Sequence, residues 1–285
     1  MRYTVPAPLS LGDCLARLLG GASGRTRKQM LAADRVLVNG ETARRADTAL
    51  AAGDVVEIAG KQPREALPPG LGLVHDDDDV LVVDKPPGLL TVATERERER
   101  TVYAHVTAHV RGGEPGARIF VVHRLDRLAS GLLVFATSPD AKQTLQAQFA
   151  AHTVERTYLA VVEGRLARPA GVIESRLLDD APGRVRETSQ AERGRAAVTR
   201  WRVVRAGDRH SLLEVKLETG RRNQIRVHLA ARGHPIAGDA AYGSRTDPFG
   251  RLALHAHVLA FDHPRTGTRL RFVSPPPRTF AKLPA

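Results

Sequence analysis

The chain of 285 residues contains a single cysteine, Cys14. An internal disulfide framework is therefore excluded, and the usage fits a reducing cytosol. No apolar stretch is long enough to span a bilayer, and the N-terminus has no signal-peptide hydrophobic region. A soluble, cytoplasmic protein without membrane association is expected. No Gly-x-Gly-x-x-Gly opens a helix after a strand, and no Walker A run occurs, so no nucleotide cofactor site is read. His105 and His109 stand four apart, as neighbours on one helix surface would. No Glu follows His105, and the zinc-protease pattern fails. Leu125 interrupts what would be a kinase His-Arg-Asp, and Asp-Phe-Gly is missing. No metal site and no internal repeat are expected.

What is present is positive charge. Lys and Arg number 43 against 31 Asp and Glu, for a net charge of +12. Arginine-rich codon usage gives the same sum, so location matters. Between Ala181 and Arg232 there are thirteen Lys/Arg and five Asp/Glu. That concentration reads as a basic surface for a polyanion, most simply nucleic acid. With 42% hydrophobic residues, the chain has enough apolar matter for a packed core.

Residues 1–60 read as a small unit. Ser10 caps a helix with Asp13 in its first turn, and Leu11, Leu15, Leu18 and Leu19 share a face. Gly20, Gly21 and Gly24 mark the start of a second helix from about Arg25 to Ala33, with Arg25, Arg27 and Lys28 near its beginning. The strand Val36–Val38 meets Asn39-Gly40, a strong turn signal, and another strand follows at 54–58. Residues 61–72 have linker composition. Residues 73–285 alternate strands and helices. Strands are read at Val80–Val83, Gly131–Ala136, Thr157–Val162, Val198–Val204, Leu212–Leu217 and around Leu254–Phe261. Helices are read at Thr101–Val110, at Gln224–Ala231, and from Ser138-Pro139-Asp140 to about Ala150. The class is α+β. Asp76–Asp79 read as an acidic turn before a strand, and Glu95–Arg100 as an exposed charged segment.

Three segments carry chemistry together. In His123-Arg124-Leu125-Asp126-Arg127-Leu128-Ala129-Ser130-Gly131, one carboxylate sits between two arginines at a turn before a strand. An aspartate beside fixed positive charge stays ionised. The second segment is Arg156–Gly164, containing Tyr158. The third is Leu217–Leu229, containing Arg221-Arg222-Asn223-Gln224-Ile225-Arg226, followed by Gly233–Asp239 and Tyr242-Gly243. Taken singly, each residue has an ordinary reading. Asp126 caps a turn, Tyr158 is a half-buried strand residue, and Arg226 is a helix-surface charge.

Taken in order, these segments resemble the RluA-type family of pseudouridine synthases over most of residues 73–285. Lys85-Pro86-Pro87-Gly88 matches that family's Lys-Pro-x-Gly turn. Ala129 stands where threonine is usual, and Asn223 where histidine is often found. Residues 1–60 resemble the S-four RNA-binding domain, whose basic second helix lies on RNA. The usual arginine opening the first helix is absent.

The resemblance implies a mainly antiparallel sheet in the catalytic domain and an isomerisation of uridine in RNA that requires no cofactor. Asp126 is then the essential carboxylate, as nucleophile at the sugar or base on carbon 2′. Arg226 pairs with it and lowers its pKa. Tyr158 packs against the uracil and is the candidate base for the carbon 5 proton. Arg124 fills the gap left by a flipped nucleotide or steers the base. Arg25, Arg27, Lys28, Arg221, Arg222 and Asn223 are further candidate RNA contacts, and His123 is a structural hydrogen-bonding residue. Large-subunit rRNA is the expected partner, tRNA the alternative, and a monomer the expected state. A non-catalytic RNA-binding or ribosome-assembly factor on the same fold is the competing class. A nucleoside glycosidase would need a second placed carboxylate.

Overall fold

A computed structural model describes residues 1–20, 24–60, 66–113, 116–181, 184–190 and 192–283. Gly21, residues 61–65 of the expected linker and the side chain of Arg25 lie outside the described residues. The chain divides into two compact units. One comprises Met1–Ala66 with Val106–Arg118, the other Leu67–His105 with Ile119–Ala285.

The first unit contains strands β1 (Arg2–Thr4), β2 (Leu9–Ser10), β3 (Val36–Val38), β4 (Glu41–Thr42), β5 (Ala49–Leu50) and β6 (Val55–Ile58). Its helices are α1 (Leu11–Leu18) and α2 (Gly24–Ala32). The Ser10 hydroxyl accepts from the Asp13 amide at 3.1 Å, the N-cap that the sequence implies. Leu11, Cys14 and Leu15 then face a core with Leu31, Val36, Val56 and Ile58. Asn39 and Gly40 both have positive φ, 52° and 86°. That is the geometry a two-residue hairpin needs between β3 and β4. The Asn39 side chain also donates to Asp54 and accepts from the Val55 amide, tying the turn to β6.

The second unit is built on one sheet. Its strands are β7 (Gly72–Asp76), β8 (Val80–Lys85), β9 (Phe120–Val121), β10 (Ser130–Ala136), β11 (Glu155–Glu163), β12 (Ala170–Ala181), β13 (Arg184–Thr188), β14 (Arg195–Ala206), β15 (His210–Leu217), β16 (Leu254–Asp262) and β17 (Arg269–Val273). The helices in the same stretch of sequence are α3 (Val102–Gly113), α4 (Pro139–Ala150) and α5 (Gln224–Ala231). The sheet order is β13-β12-β14-β15-β11-β16-β10-β8-β7, with β17 on β16 and β9 on β10. Every pairing is antiparallel except β10 with β16. All seven residues of β10 are buried, so the strand reads as a continuous apolar run. Leu132, Val134 and Ala136 pack with Val80, Val82, Leu259 and Phe261 against Ala141 and Leu145 of α4. Ser138 caps that helix, accepting from the Ala141 amide at 3.0 Å.

The acidic turn is a closed network. Asp77 accepts from the amides of Asp79 and Val80 at 2.8 Å. Its other oxygen faces His75 at 2.6 Å and His263 at 3.2 Å. His263 Nδ1 accepts the amides of Arg265 and Thr266, so the ring proton sits on Nε2 and points at the carboxylates. Coordination of a metal through Nε2 would require Nδ1 to carry that proton, against two incoming N–H groups. This turn is held by hydrogen bonds and by Arg265, which pairs with Asp79 at 2.7 Å. His105 and His109 stand four apart on the helix Val102–Gly113, His105 half-buried and His109 buried.

At Gly131 the parallel register places Ala256 directly opposite. A Cβ there would run into the Ala256 carbonyl and lie 2.6 Å from its nitrogen, and φ is +107°. Gly40 has open space around it. Gly131→Ala is expected to destabilise by more than about 3 kcal/mol, whereas Gly40→Ala costs about 1 kcal/mol. Urea unfolding of both variants measures the difference.

Candidate active site

The loop before β10 carries Asp126. Its turn closes with the Ala129 amide donating to the Asp126 carbonyl at 3.2 Å. Three contacts hold it. The Thr91 hydroxyl donates to the Leu125 carbonyl and accepts from the Leu125 amide. The Gly88 amide donates to the Arg127 carbonyl at 2.8 Å. Lys85, fully buried, donates from Nζ to the carbonyls of Pro86, Leu89 and Arg127 at 2.8, 2.9 and 3.0 Å. Three acceptors match the three N–H groups of an ammonium. Burial pulls the Lys85 pKa down to about 7, while nearby Asp126 pulls it up.

Most of the nine-residue run is scaffolding. His123 Nε2 accepts the Val134 amide at 3.1 Å and its ring stacks on Phe149. Burial holds its pKa at about 3, so it is neutral, in the structural role expected of it. Ser130 contacts His255 Nδ1 at 2.9 Å and accepts from Arg251 at 2.7 Å. Arg127 is exposed and donates to the Gly88 carbonyl.

Tyr158 arrives from β11. A β-bulge between Thr157 and Tyr158 shifts the pairing with β16, so Tyr158 also lies opposite Ala256. Gly131, Ala256 and Tyr158 therefore form one row across three strands. Tyr158 is buried, and that burial raises its phenol pKa.

Arg226 comes from α5, one hundred residues after Asp126. The helix is fixed on the sheet by Gln224 and His228, one turn apart on the same face. Gln224 accepts from Thr219 and the Arg221 amide and donates to Val198 and Thr199. His228 contacts Thr199 and Ser175. Arg226, two residues on from Gln224, projects to the opposite side. Its Nη1 lies 3.5 Å from Asp126. Its two short bonds, both 2.7 Å, go to the fully buried Asp239. The Tyr242 ring covers the guanidinium at 4.8 Å.

The sequence assigns Asp239 no role. Its presence corrects the electrostatic expectation. Burial raises the Asp126 pKa above its ordinary value, and the Asp239 charge adds to that. Arg226 and Lys85 oppose the rise without reversing it. Arg226 is divided between two carboxylates and gives Asp126 the longer contact.

Asp126, Tyr158 and Arg226 line one cavity of about 840 Å³. Arg124, Arg221, Arg222 and Asn223 line it too. Arg124 is exposed. Arg221 donates to the Ala196 carbonyl, and Arg222 pairs with Asp179 at 2.7 Å. Asn223, in a left-handed conformation, donates to the Tyr242 hydroxyl and accepts from Arg226. Arg27 is half-buried and Lys28 exposed on α2 of the first unit, away from this set in sequence.

Asp239→Ala leaves a buried guanidinium without its main partner. A loss of about 3–5 kcal/mol is expected, and Arg226→Met added to it should recover much of that loss, read by urea unfolding. His123 generates a second expectation. The unfolded chain takes up a proton as pH falls through its ordinary value near 6.5, and the native state does not. Stability should fall by about 1.4 kcal/mol per pH unit from this group below pH ~6.5. His123→Gln should flatten that slope.

Comparison with known proteins bears on what this cavity does. A family model described as RNA pseudouridylate synthase matches residues 79–231, and one described as the S4 domain matches residues 14–64. The chain is 38% identical over 269 residues to the uncharacterized RNA pseudouridine synthase YlyB of Bacillus subtilis, covering 91% of this chain and 88% of that one. It is 32% identical over 291 residues to ribosomal large subunit pseudouridine synthase D of Vibrio cholerae, covering 96% and 89%. The solved structure of human RNA pseudouridylate synthase domain containing 1 superposes with a TM-score of 0.58 at 27% identity, over 72% of this chain and 83% of that one. Human RNA pseudouridylate synthase domain containing 4 shares the fold, with a TM-score of 0.60 at 24% identity over 74% and 90%. With the matching model spanning more than half its length and relatives aligned over nearly all of it, the chain belongs to the RNA pseudouridine synthase family and carries an S4 domain.

Proposed function

We propose that the protein converts uridine to pseudouridine in large-subunit ribosomal RNA, with Asp126 as the reacting carboxylate. The observation that carries this reading is the meeting of Asp126, Tyr158 and Arg226, from three distant segments, in one cavity. The Vibrio cholerae relative is named for the large ribosomal subunit and aligns over nearly the whole chain, which supports the same RNA here.

In the reaction the bond from uracil nitrogen 1 to ribose carbon 1′ breaks, the uracil turns, and carbon 5 bonds to carbon 1′. The carbon 5 proton leaves and nitrogen 1 ends protonated, so atoms balance without an oxidant or reductant. Asp126 acts as nucleophile at the sugar or as base on carbon 2′. In either role its raised pKa helps, because a less stabilised carboxylate is the stronger base. Arg226 orients it while held by Asp239. Tyr158 packs against the uracil. Burial keeps its phenol protonated, so removal of the carbon 5 proton by Tyr158 would require that proton to be lost first.

A base inside a helix must leave its stack, at a cost of roughly a few kcal/mol. Arg124, at the cavity, is assigned to the space the base vacates. Arg221, Arg222 and Asn223 contact the RNA at the cavity edge. The Arg222–Asp179 pair is exposed and weak enough to exchange for a phosphate. Arg25, Arg27 and Lys28 serve the S4 domain in the same way. The protein works as a cytoplasmic monomer in this reading.

Release of tritium from RNA labelled at uracil carbon 5 tests the chemistry. Wild type should release it, and Asp126→Asn should be slower by about 10³-fold or more with an unchanged melting temperature. Equal release by both would remove Asp126 from the reaction. Pseudouridine mapping in cells with and without the protein tests the substrate. Loss of a site in tRNA with none in large-subunit rRNA would overturn the rRNA assignment.

A further inference from the structure

Arg156 stands two residues before Tyr158 on β11, and both line the cavity. Its situation differs from that of the other arginines there. Arg226 is held by Asp239, Arg222 by Asp179, Arg221 by a carbonyl and Arg127 by another. Arg124 is exposed to solvent. Arg156 is half-buried, its Nε is buried without a hydrogen-bond partner, and its guanidinium donates to no acceptor among the described residues. The group lies over the Phe149 ring at 5.5 Å. Gly220 leaves it room, since a Cβ there would collide with Nη1.

A cation kept partly from water with its donors unmet is unfavourable, and it persists where a ligand completes it. The choice of ligand follows from charge. A uracil carbonyl would accept one N–H and leave the charge unanswered. A phosphate accepts two and neutralises it, in the geometry a guanidinium favours. The nearby charges leave such a cation a role. Asp126 and Asp239 share one arginine, and Lys85 spends its N–H groups on three carbonyls. The two carboxylates are balanced by Arg226 and Lys85, so the attraction a phosphate finds here comes from the other cavity arginines, among which Arg156 has a buried donor unmet.

We propose that Arg156 binds a backbone phosphate adjoining the uridine that enters the cavity. The proposal rests on the RNA-modifying reading above and adds a substrate contact to it. The free protein gives the Nε of this arginine no hydrogen-bond acceptor, and RNA supplies one.

RNA stem-loops spanning the uridine found by mapping, each with one neutral methylphosphonate linkage near it, test the contact against wild type, Arg156→Gln and Arg156→Lys. In wild type, one linkage should cost about tenfold in kcat/KM, the scale of a charge-assisted hydrogen bond. In Arg156→Gln the same linkage should cost less than about twofold, because the contact is already gone. That variant should raise KM for the unmodified stem-loop about tenfold and flatten log KM against log salt by about 0.7. Arg156→Lys should recover part of the affinity. The unfolding midpoint of Arg156→Gln should not fall below wild type, since the lost group has no protein acceptor. An identical linkage profile in wild type and Arg156→Gln, or no sensitive linkage in wild type, overturns the proposal. Turnover of the unmodified stem-loop tests the reaction separately. If there is none, equilibrium binding of the same oligonucleotides still decides the role of Arg156.

Discussion

Between Gly131 of β10 and Ala256 of β16 there is no space for a side chain. This close approach fixes the catalytic unit, because the loop carrying Asp126 ends at β10. The same Ala256 is the register partner of Tyr158 on the far side of β16. The carboxylate loop and the tyrosine are thus both positioned from one small residue. Two strand spacings separate Gly131 from Tyr158, about 10 Å. The bulge at Thr157 is what brings Tyr158, and not its neighbour, into that row.

The charges are arranged in the same economical way. One guanidinium serves two carboxylates unequally. Asp239 has no side-chain exposure and takes Nε and Nη2 of Arg226 at 2.7 Å, while Asp126 keeps a single contact with Nη1 at 3.5 Å. Asp239 therefore orients Arg226, and Asp126 stays weakly stabilised and open to the cavity. A tighter Asp126–Arg226 pair would make a more stable ion pair and a poorer base.

Much of this was legible in the sequence. Ser10, Asn39-Gly40 and Ser138-Pro139 marked caps and a turn at the positions observed, because those signals act locally. Gln224–Ala231 forms the helix that its pattern implies. Strands β7, β9, β12, β13 and β17 of the second unit are not legible in the sequence. The last three lie toward the sheet edges, where one face meets solvent and charged residues alternate with apolar ones, as in Arg269–Val273. Motif order singles out Asp126, Tyr158 and Arg226, which line one cavity. It does not single out the partners that set their properties, because partnership depends on three-dimensional proximity. The sequence assigns Asp239 no role and shows Lys85 as part of a turn motif. The direction of the Asp126 pKa was missed for the same reason. A sequence shows the opposite charges and does not show the burial that outweighs them.

The carbonyls around Lys85 have a consequence for recognition. Nζ, Thr91 and the Gly88 amide tie down the Asp126 turn from three sides in the protein without RNA. The entropy of ordering that turn is lost during folding, and none is left to lose when RNA arrives. A site already set cannot tell uridines apart by closing around the correct one. What such a turn leaves open to selection includes how readily a nucleotide comes out of its stack. One lysine-centred turn thus removes its own closure from the ways in which a substrate could be selected.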